Sequence, residues 1–250
     1  MEFTDPSGIR VIAMDLDGTL SQHKCPVEES NLRCLGELGK KYRLLMVGAG
    51  QAERIFDQMG GAVPEIIGNY GMQYAVKDPE KNELVTVRDD FVDCDRESVA
   101  ERAEELRKRF GFTEYAGDPV QFHPSGCVTI PLLGTAAVLK DKLAFDPDRK
   151  KRRAIYGKVC RIFGDFNVFV GGSSFFDMAP MPYNKYHALD RWCRENAVGH
   201  SEVVFLGDDY GPGGNDESVY LSDFPFITVD DYRLFPERVA PLLEAAGLTL

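Results

Sequence analysis

Apolar residues along this chain follow two rhythms. Short unbroken runs at 11–14, 42–47, 203–206 and 226–229 have the length and content of strands buried on both faces, and 65–76, with Ile66-Ile67 and then Gly68-Asn69-Tyr70-Gly71, reads as a further strand followed by a turn and a hairpin. Between them, apolar side chains recur at three- and four-residue spacing: Val27, Leu32, Leu35 and Leu38; the stretch 51–59; Leu189, Trp192 and Cys193; and Leu234, Val239, Leu242 and Leu243. Buried strands alternating with one-sided helices predict an α/β fold, a parallel sheet with helices packed on its faces.

The rhythm changes after 77–82, a polar stretch that contains Pro79 and predicts a hinge. Beyond it, Val99, Ala103, Leu106 and Phe110 mark a helix in a highly charged segment, and Ile155, Val159 and Ile162 mark a second. Short alternating strands are expected at 120–123, 127–132, 166–170 and 175–179. Two helices on one face of such a sheet make a small α+β layer, read here as an inserted domain at 83–182 within a main domain of 1–82 and 183–250. Period-two alternation leaves Gln121, His123, Thr129 and Asp177 for the other sheet face. A solvated face is the ordinary fate of any one of them; as a group they are candidate substrate contacts.

Composition narrows the function classes. With 250 residues the chain can bury a sizeable core. A net charge of −11 and a pI near 4.9 argue against a nucleic-acid partner. No apolar run approaches the roughly 18 residues of a membrane span. The acidic start Met1-Glu2-Phe3-Thr4-Asp5 does not read as a signal peptide. Six cysteines without a C-x-x-C pair read as free thiols of a reducing compartment, so a cytoplasmic location is expected.

The chemistry concentrates at strand ends. Asp15-Leu16-Asp17-Gly18-Thr19-Leu20 leaves the first strand at its C-terminal end, the edge where open α/β sheets bind ligands. Carboxylates one residue apart point to the same side. A hard divalent cation such as Mg²⁺ would relieve their repulsion, and one could then attack phosphorus while the other moves protons. The plainer alternative is an Asp-rich strand end closing in a solvated turn. Next, the 42–47 strand runs into Gly48-Ala49-Gly50 and a helix, which offers either main-chain donors to an anion or simply a tight turn. Lys185 stands in the first turn of a helix, against the helix dipole, which suggests that the cation has a task there. Finally, the 203–206 strand ends in Gly207-Asp208, and Asp208 could share an ion with Asp15 and the main-chain carbonyl of Asp17. The residues that follow lack the alternate ligand spacing of an EF-hand.

These stations, in this order, resemble the haloacid dehalogenase (HAD) superfamily with a type IIB (C2B) cap. Within it the chain looks most like the eukaryotic-type phosphomannomutases: Val47-Gly48-Ala49-Gly50 stands for V-G-G-S, Gly171-Gly172 to Lys185 matches in length, and Pro212-Gly213-Gly214-Asn215-Asp216 matches P-G-G-N-D. The resemblance implies a Rossmann-like core, with Asp15 as nucleophile, Asp17 as acid/base, and Asp15, Asp17 and Asp208 on Mg²⁺. It also implies phosphate binding by Gly48, Ala49, Gly50 and Lys185, support of the metal loop by Asn215 and Asp216, and pairing of two copies through the cap. Departures are equally informative. No hydroxyl stands at 48–50, His123 and Thr135 replace family arginines, Thr129 replaces an asparagine, and Phe175 replaces a serine. Losing bidentate arginine clamps removes anchors that a bisphosphorylated sugar would need. The expected activity is therefore a Mg²⁺-dependent phosphatase for a small phosphorylated metabolite, a sugar phosphate by preference. The alternatives are a hexose-phosphate mutase and a weakly catalytic phosphosugar-binding protein.

Overall fold

A computed structural model describes residues 5–250 of the chain. The chain first lays down β1 (Val11–Met14), α1 (Glu29–Leu38), β2 (Arg43–Val47), α2 (Ala52–Gln58), β3 (Glu65–Gly68), β4 (Gln73–Asp78) and β5 (Glu83–Asp89). A middle section follows, made of α3 (Arg96–Phe110), β6 (Gln121–Phe122), β7 (Val128–Pro131), α4 (Leu139–Phe145), α5 (Lys150–Ile162), β8 (Phe166–Gly171) and β9 (Phe175–Pro180). The last section is α6 (Lys185–Asn196), β10 (Val203–Gly207), α7 (Glu217–Tyr220), β11 (Phe226–Thr228), α8 (Phe235–Arg238) and α9 (Ala240–Ala245). Two compact units result: one takes the chain up to Asp89 with Lys185–Tyr210 and Asp216–Leu250, the other takes Asp90–Asn184 with Gly211–Asn215.

In the first unit a seven-stranded sheet runs β11-β10-β1-β2-β3-β4-β5. Its first five strands are parallel to their neighbours, and β4 and β5 add an antiparallel edge. β1 is apolar at every position because both its faces are covered. Ile12 and Met14 pack with Leu35, Ile55 and Leu242 on one side, while Val11 and Ala13 pack with Leu189, Trp192 and Phe205 on the other. Met14 stands beside Met46 of β2 and Leu206 of β10, so the chain turns that follow all three strands open on one sheet edge. From β1 the chain winds one way to β2 and β3, and later returns on the other side as β10 and β11. That reversal at β1/β10 is a topological switch point, where α/β sheets bind ligands.

The second unit is a four-stranded antiparallel sheet, β6-β7-β9-β8. Val99, Ala103 and Leu106 of α3 and Val159 of α5 pack with Val128, Ile130, Phe176 and Met178, which closes one sheet face. Gln121, Thr129 and Asp177 lie in one cross-strand row on the other.

Two sequence expectations change. Residues 83–89, placed above with the inserted domain, form β5 of the main sheet, and the compact units divide at Asp89 rather than at 82. The reason is local: Pro79 and the positive φ of Asn82 belong to a hairpin turn closed by the Asn82 amide on the Asp78 carbonyl, and hairpins and hinges share such residues. The strand, turn and hairpin read over 65–76 are present as β3, a 3₁₀ turn at Asn69–Gly71 and the β4–β5 pair. Finally, α4 was not expected at all; its exposed Leu139 and Leu143 leave it no buried stripe to read.

The run Arg149-Lys150-Lys151-Arg152-Arg153 is the chain's densest basic stretch, yet the fold disperses it. Lys150 pairs with Asp148 and Lys151 donates to the Phe145 carbonyl. Arg152 is buried, donates to Asp146 Oδ2 at 2.9 Å, and reaches the carbonyls of Gly171, Gly172 and Phe175 at the β8–β9 turn. Replacing it would strand the Asp146 charge and four main-chain acceptors, counting the Asp146 carbonyl. Arg152→Met is expected to destabilise the protein by about 3–5 kcal/mol, the usual cost of breaking a buried ion pair from one side. Urea unfolding followed by tryptophan fluorescence and far-UV circular dichroism would show it; an unchanged midpoint would remove Arg152 as the clasp of that turn.

Candidate active site

The site of the first unit is built from the ends of β1 and β10 and the start of α6. Asp15 is the first residue past β1, and its amide donates to the Leu206 carbonyl of β10 at 2.9 Å. The turn beyond it needs glycine at position 18. Gly18 has a φ of +106°, and a Cβ there would stand 2.5 Å from Asp208 Cγ. Thr19 Oγ1 then donates to Asp208 Oδ1 at 3.0 Å, so the D-x-D-G-T turn holds the second acidic tip in place.

Lys185 is fully buried, with its ammonium 2.7 Å from Asp15 Oδ1 and 2.7 Å from Asp216 Oδ1. The other Asp216 oxygen accepts from the Asp209 amide at 3.0 Å. Behind Lys185, α6 is fixed to the sheet by Trp192, whose indole N–H donates to Glu65 of β3 at 3.2 Å beneath the Arg43 guanidinium. One carboxylate oxygen each of Asp15, Asp208 and Asp216 lies within 4.8 Å of the others. That is a crowded set. Burial, helped by Asp216 and resisted by Lys185, lifts Asp15 to about 6. Burial, reinforced by Asp15 and Asp216, lifts Asp208 to about 8. Burial also opposes the Lys185 charge, but Asp15 and Asp216 outweigh it and its pKa rises. Three converging carboxylates, with protons held above their ordinary range, fit a hard divalent cation with oxygen ligands.

Asp17, expected among the ligands, directs its side chain elsewhere. It accepts from the Lys24 amide at 2.8 Å, Gln58 Nε2 at 2.9 Å and an Arg54 N–H at 3.1 Å. Burial would raise its pKa, but these hydrogen bonds and the Arg54 charge hold it below the usual carboxylate range. The side chains that converge here are Asp15, Asp208 and Asp216, and they could hold an ion; Asp17 could contribute only its main-chain carbonyl, as the sequence reading of that loop had it. Asp216, expected as support alone, is thus part of the cluster itself. Asn215 packs in the second unit.

The Gly48-Ala49-Gly50 turn needs a correction as well. The Gly48 amide donates to the Ile67 carbonyl at 2.9 Å and is not open to a phosphate; the amides of Ala49 and Gly50 make no such bond among the described residues. Sequence reasoning missed Arg54 and Gln58. They lie four residues apart on the helix after the glycine turn, a spacing that places both on one face and was available as a signal.

In the second unit, three of the four expected residues form one hydrogen-bonded chain. His123 Nε2 lies 3.0 Å from Thr129 Oγ1, which donates to Asp177 Oδ1 at 2.6 Å. Gln121 is exposed, opposite Thr129 in the register. Burial lowers the His123 pKa, so the ring favours its neutral form.

A mostly parallel sheet with carboxylates at its switch point, and a second α+β unit inserted in the chain, make an architecture that can be compared with known proteins. No known family model matches the chain. It is 26% identical over 230 residues to the phosphomannomutase of Spinacia oleracea, covering 85% of this chain and 87% of the relative. It is 25% identical over 264 residues to that of Encephalitozoon cuniculi, covering 95% of each. Among solved structures, an IMP-bound IMP-nucleotidase mutant from Plasmodium falciparum superposes with a TM-score of 0.69 at 15% identity, over 94% of this chain and 68% of that one. A HAD-superfamily phosphatase from Bacteroides thetaiotaomicron superposes with a TM-score of 0.59 at 16% identity, over 97% of each. The chain therefore has the fold of a HAD-superfamily phosphatase and is similar in sequence to phosphomannomutases over most of its length. No helix among the described residues is long and apolar enough to cross a membrane.

The raised carboxylates fix a pH dependence. Their folded pKa values, about 6 for Asp15 and about 8 for Asp208, exceed the 3.8 reference. Between these limits the native state binds more protons than the unfolded chain, so this contribution to stability is complete below about pH 4 and is lost as pH rises through about 8. For metal-free protein, thermal unfolding should show that loss, and Mg²⁺ should restore more stability above pH 8 than near pH 6, releasing protons as it binds. Melts across this range and calorimetry in buffers of different ionisation enthalpy test it. A Mg²⁺ effect independent of pH would count against carboxylate ligation.

Proposed function

We propose that the protein is a Mg²⁺-dependent phosphatase acting on a small phosphorylated metabolite, a sugar phosphate by preference. The observation that carries the reading is the Lys185 ammonium at 2.7 Å from both Asp15 and Asp216, with Asp208 in the same cluster. Asp15, Asp208 and Asp216 would hold the metal ion, which when bound supplies positive charge against the phosphoryl oxygens. The rest of the chemistry falls to the side chains. Asp15 attacks phosphorus and forms an aspartyl-phosphate. Asp17, outside the cluster and steadied by Gln58 and Arg54, protonates the leaving oxygen and then takes a proton from the water that hydrolyses the intermediate. Lys185 neutralises charge beside the nucleophile and keeps it aimed.

Hydrolysis is preferred over mutation because of His123. Where the resemblance sets an arginine, this chain has a partly buried ring that favours its neutral form and is hydrogen-bonded to Thr129. A mutase must hold a second phosphate away from the reacting centre, and a neutral imidazole is a poor substitute for a guanidinium clamp. The mutase reading draws its support from the phosphomannomutase relatives. A cytoplasmic location accompanies the proposal, as does pairing of copies through the second unit, which the exposed Val138, Leu139 and Leu143 support; sedimentation as a monomer would remove the pairing.

Asp15→Asn should cut phosphate release from every substrate about a thousandfold or more, and Asp17→Asn should cut it by roughly a hundredfold to ten-thousandfold. Release of inorganic phosphate from a metabolite panel, with Mg²⁺ or chelator, measures both. Undiminished release by Asp15→Asn would refute the nucleophile. Isomerisation of a hexose 1-phosphate to its 6-phosphate, dependent on added bisphosphate and faster than hydrolysis, would establish the mutase instead. Saturable phosphosugar binding without turnover would leave a binding protein.

A further inference from the structure

The first unit's site gathers four carboxylates, Asp15, Asp17, Asp208 and Asp216, and a phosphate monoester would add two more negative charges. Lys185 is already engaged by Asp15 and Asp216. The other cation at the site is Arg54. Its side chain is partly exposed, and two of its five N–H groups are spent, one on Asp17 Oδ2 at 3.1 Å and one on Gln58 Oε1 at 2.7 Å. Three therefore stay available among the described residues. The guanidinium lies over Gly50: a Cβ at that position would stand 2.6 Å from Arg54 Nε and 2.8 Å from Arg54 Cζ. Position 50 is thus bare where a guanidinium occupies the volume, and the turn offers no side-chain donor of its own. The Gly50 backbone is not in the left-handed region, so glycine is held there by the space and not by its φ.

We propose that Arg54 is the second cationic anchor of the transferring phosphoryl group, and that Gly50 is glycine so that the guanidinium can lie across the turn. This rests on the phosphatase reading for the identity of the ligand, and it adds a binding residue to that site. Arg54 suits the task chemically. A planar fork can donate to phosphoryl oxygens while keeping its bond to Asp17, which a lysine ammonium at the same place would do less well. Arg54 also has a purely positioning alternative, since it touches Asp17. Gln58 shares that contact without carrying charge, which makes it the control.

The test is inorganic phosphate binding, measured by calorimetry on the whole protein in Mg²⁺, alongside turnover of the best panel substrate. Arg54→Ala should weaken phosphate on the order of tenfold or more, the loss of one charge-assisted interaction, and should raise KM more than it lowers kcat. Arg54→Lys should recover part of the affinity. Gly50→Ala should weaken phosphate much as Arg54→Ala does, because the methyl displaces the guanidinium. The double variant should be no worse than either, as expected when both remove one interaction. Gln58→Ala should alter turnover while leaving phosphate affinity in place. Affinity within twofold of wild type in Arg54→Ala, or an equal loss in Gln58→Ala, overturns the anchor. So does a wild-type protein that binds no phosphate. Wild-type binding without turnover would sink the phosphatase reading alone, because the anchor is read by binding. Melting temperatures close to wild type in each variant keep a folding defect from imitating the result.

Discussion

One ammonium group, taken out of water and held between two carboxylates, is the constraint on which the catalytic unit depends. Burying a lysine costs several kcal/mol unless its charge is met at close range, and Asp15 and Asp216 meet it at 2.7 Å each. The converse holds for the carboxylates: without Lys185, Asp15, Asp208 and Asp216 would face one another in a buried space with nothing between them. Neither half is a sensible stabilising device alone. Together they hold charge in a geometry that water would otherwise dissolve, the signature of a site retained for chemistry. The supporting structure follows the same logic. α6 carries Lys185 at its first residue, so the helix must be fixed in depth and rotation, and Trp192 does this through Glu65, which also accepts from Arg43 and Tyr74.

Much of this was legible from residue order because the central strands are covered on both faces. A strand with no exposed face cannot alternate, so β1, β2 and β10 announce themselves as plain apolar runs, and acidic residues directly after them must lie at the sheet edge. Asp15, Asp208 and Lys185 were accessible on that reasoning. What escaped did so for identifiable causes. β5 is an edge strand with Val85 and Val87 exposed and no clean buried face, so its membership of the main sheet left no periodic trace. The side chain of Asp17 was expected to share Asp15's surroundings because both leave one strand end, but the turn at Gly18 separates them. Arg54 and Gln58 reach Asp17 from the side chains of a helix whose interest had been assigned to its N-terminal turn.

Asp15 and Asp17 leave the same strand end and meet opposite environments. Asp15 is buried against a lysine, with its pKa raised to about 6 before any cation arrives. Asp17 is one residue away in sequence, yet three neutral or cationic donors keep it below the ordinary range. Bringing a cation into the cluster would pull Asp15 toward the same ionised form while leaving Asp17's own partners in place. Two environments on one short turn thereby push the proton affinities of two neighbouring carboxylates apart.

The second unit has a polar face of its own. Its polar sheet face carries a hydrogen-bonded chain, His123 to Thr129 to Asp177, that satisfies its members internally. A hydroxyl-rich ligand could exchange bonds with such a chain at little electrostatic cost. A second phosphate could not, because the chain ends in a carboxylate and begins in an imidazole that burial keeps neutral. The basic run at Arg149–Arg153 does not repair this: Arg152 is spent on Asp146 and turn carbonyls, Lys150 on Asp148, and Arg153 donates to the Pro212 carbonyl. These three cations serve structure, so what the His123–Thr129–Asp177 row offers is hydrogen bonding without positive charge.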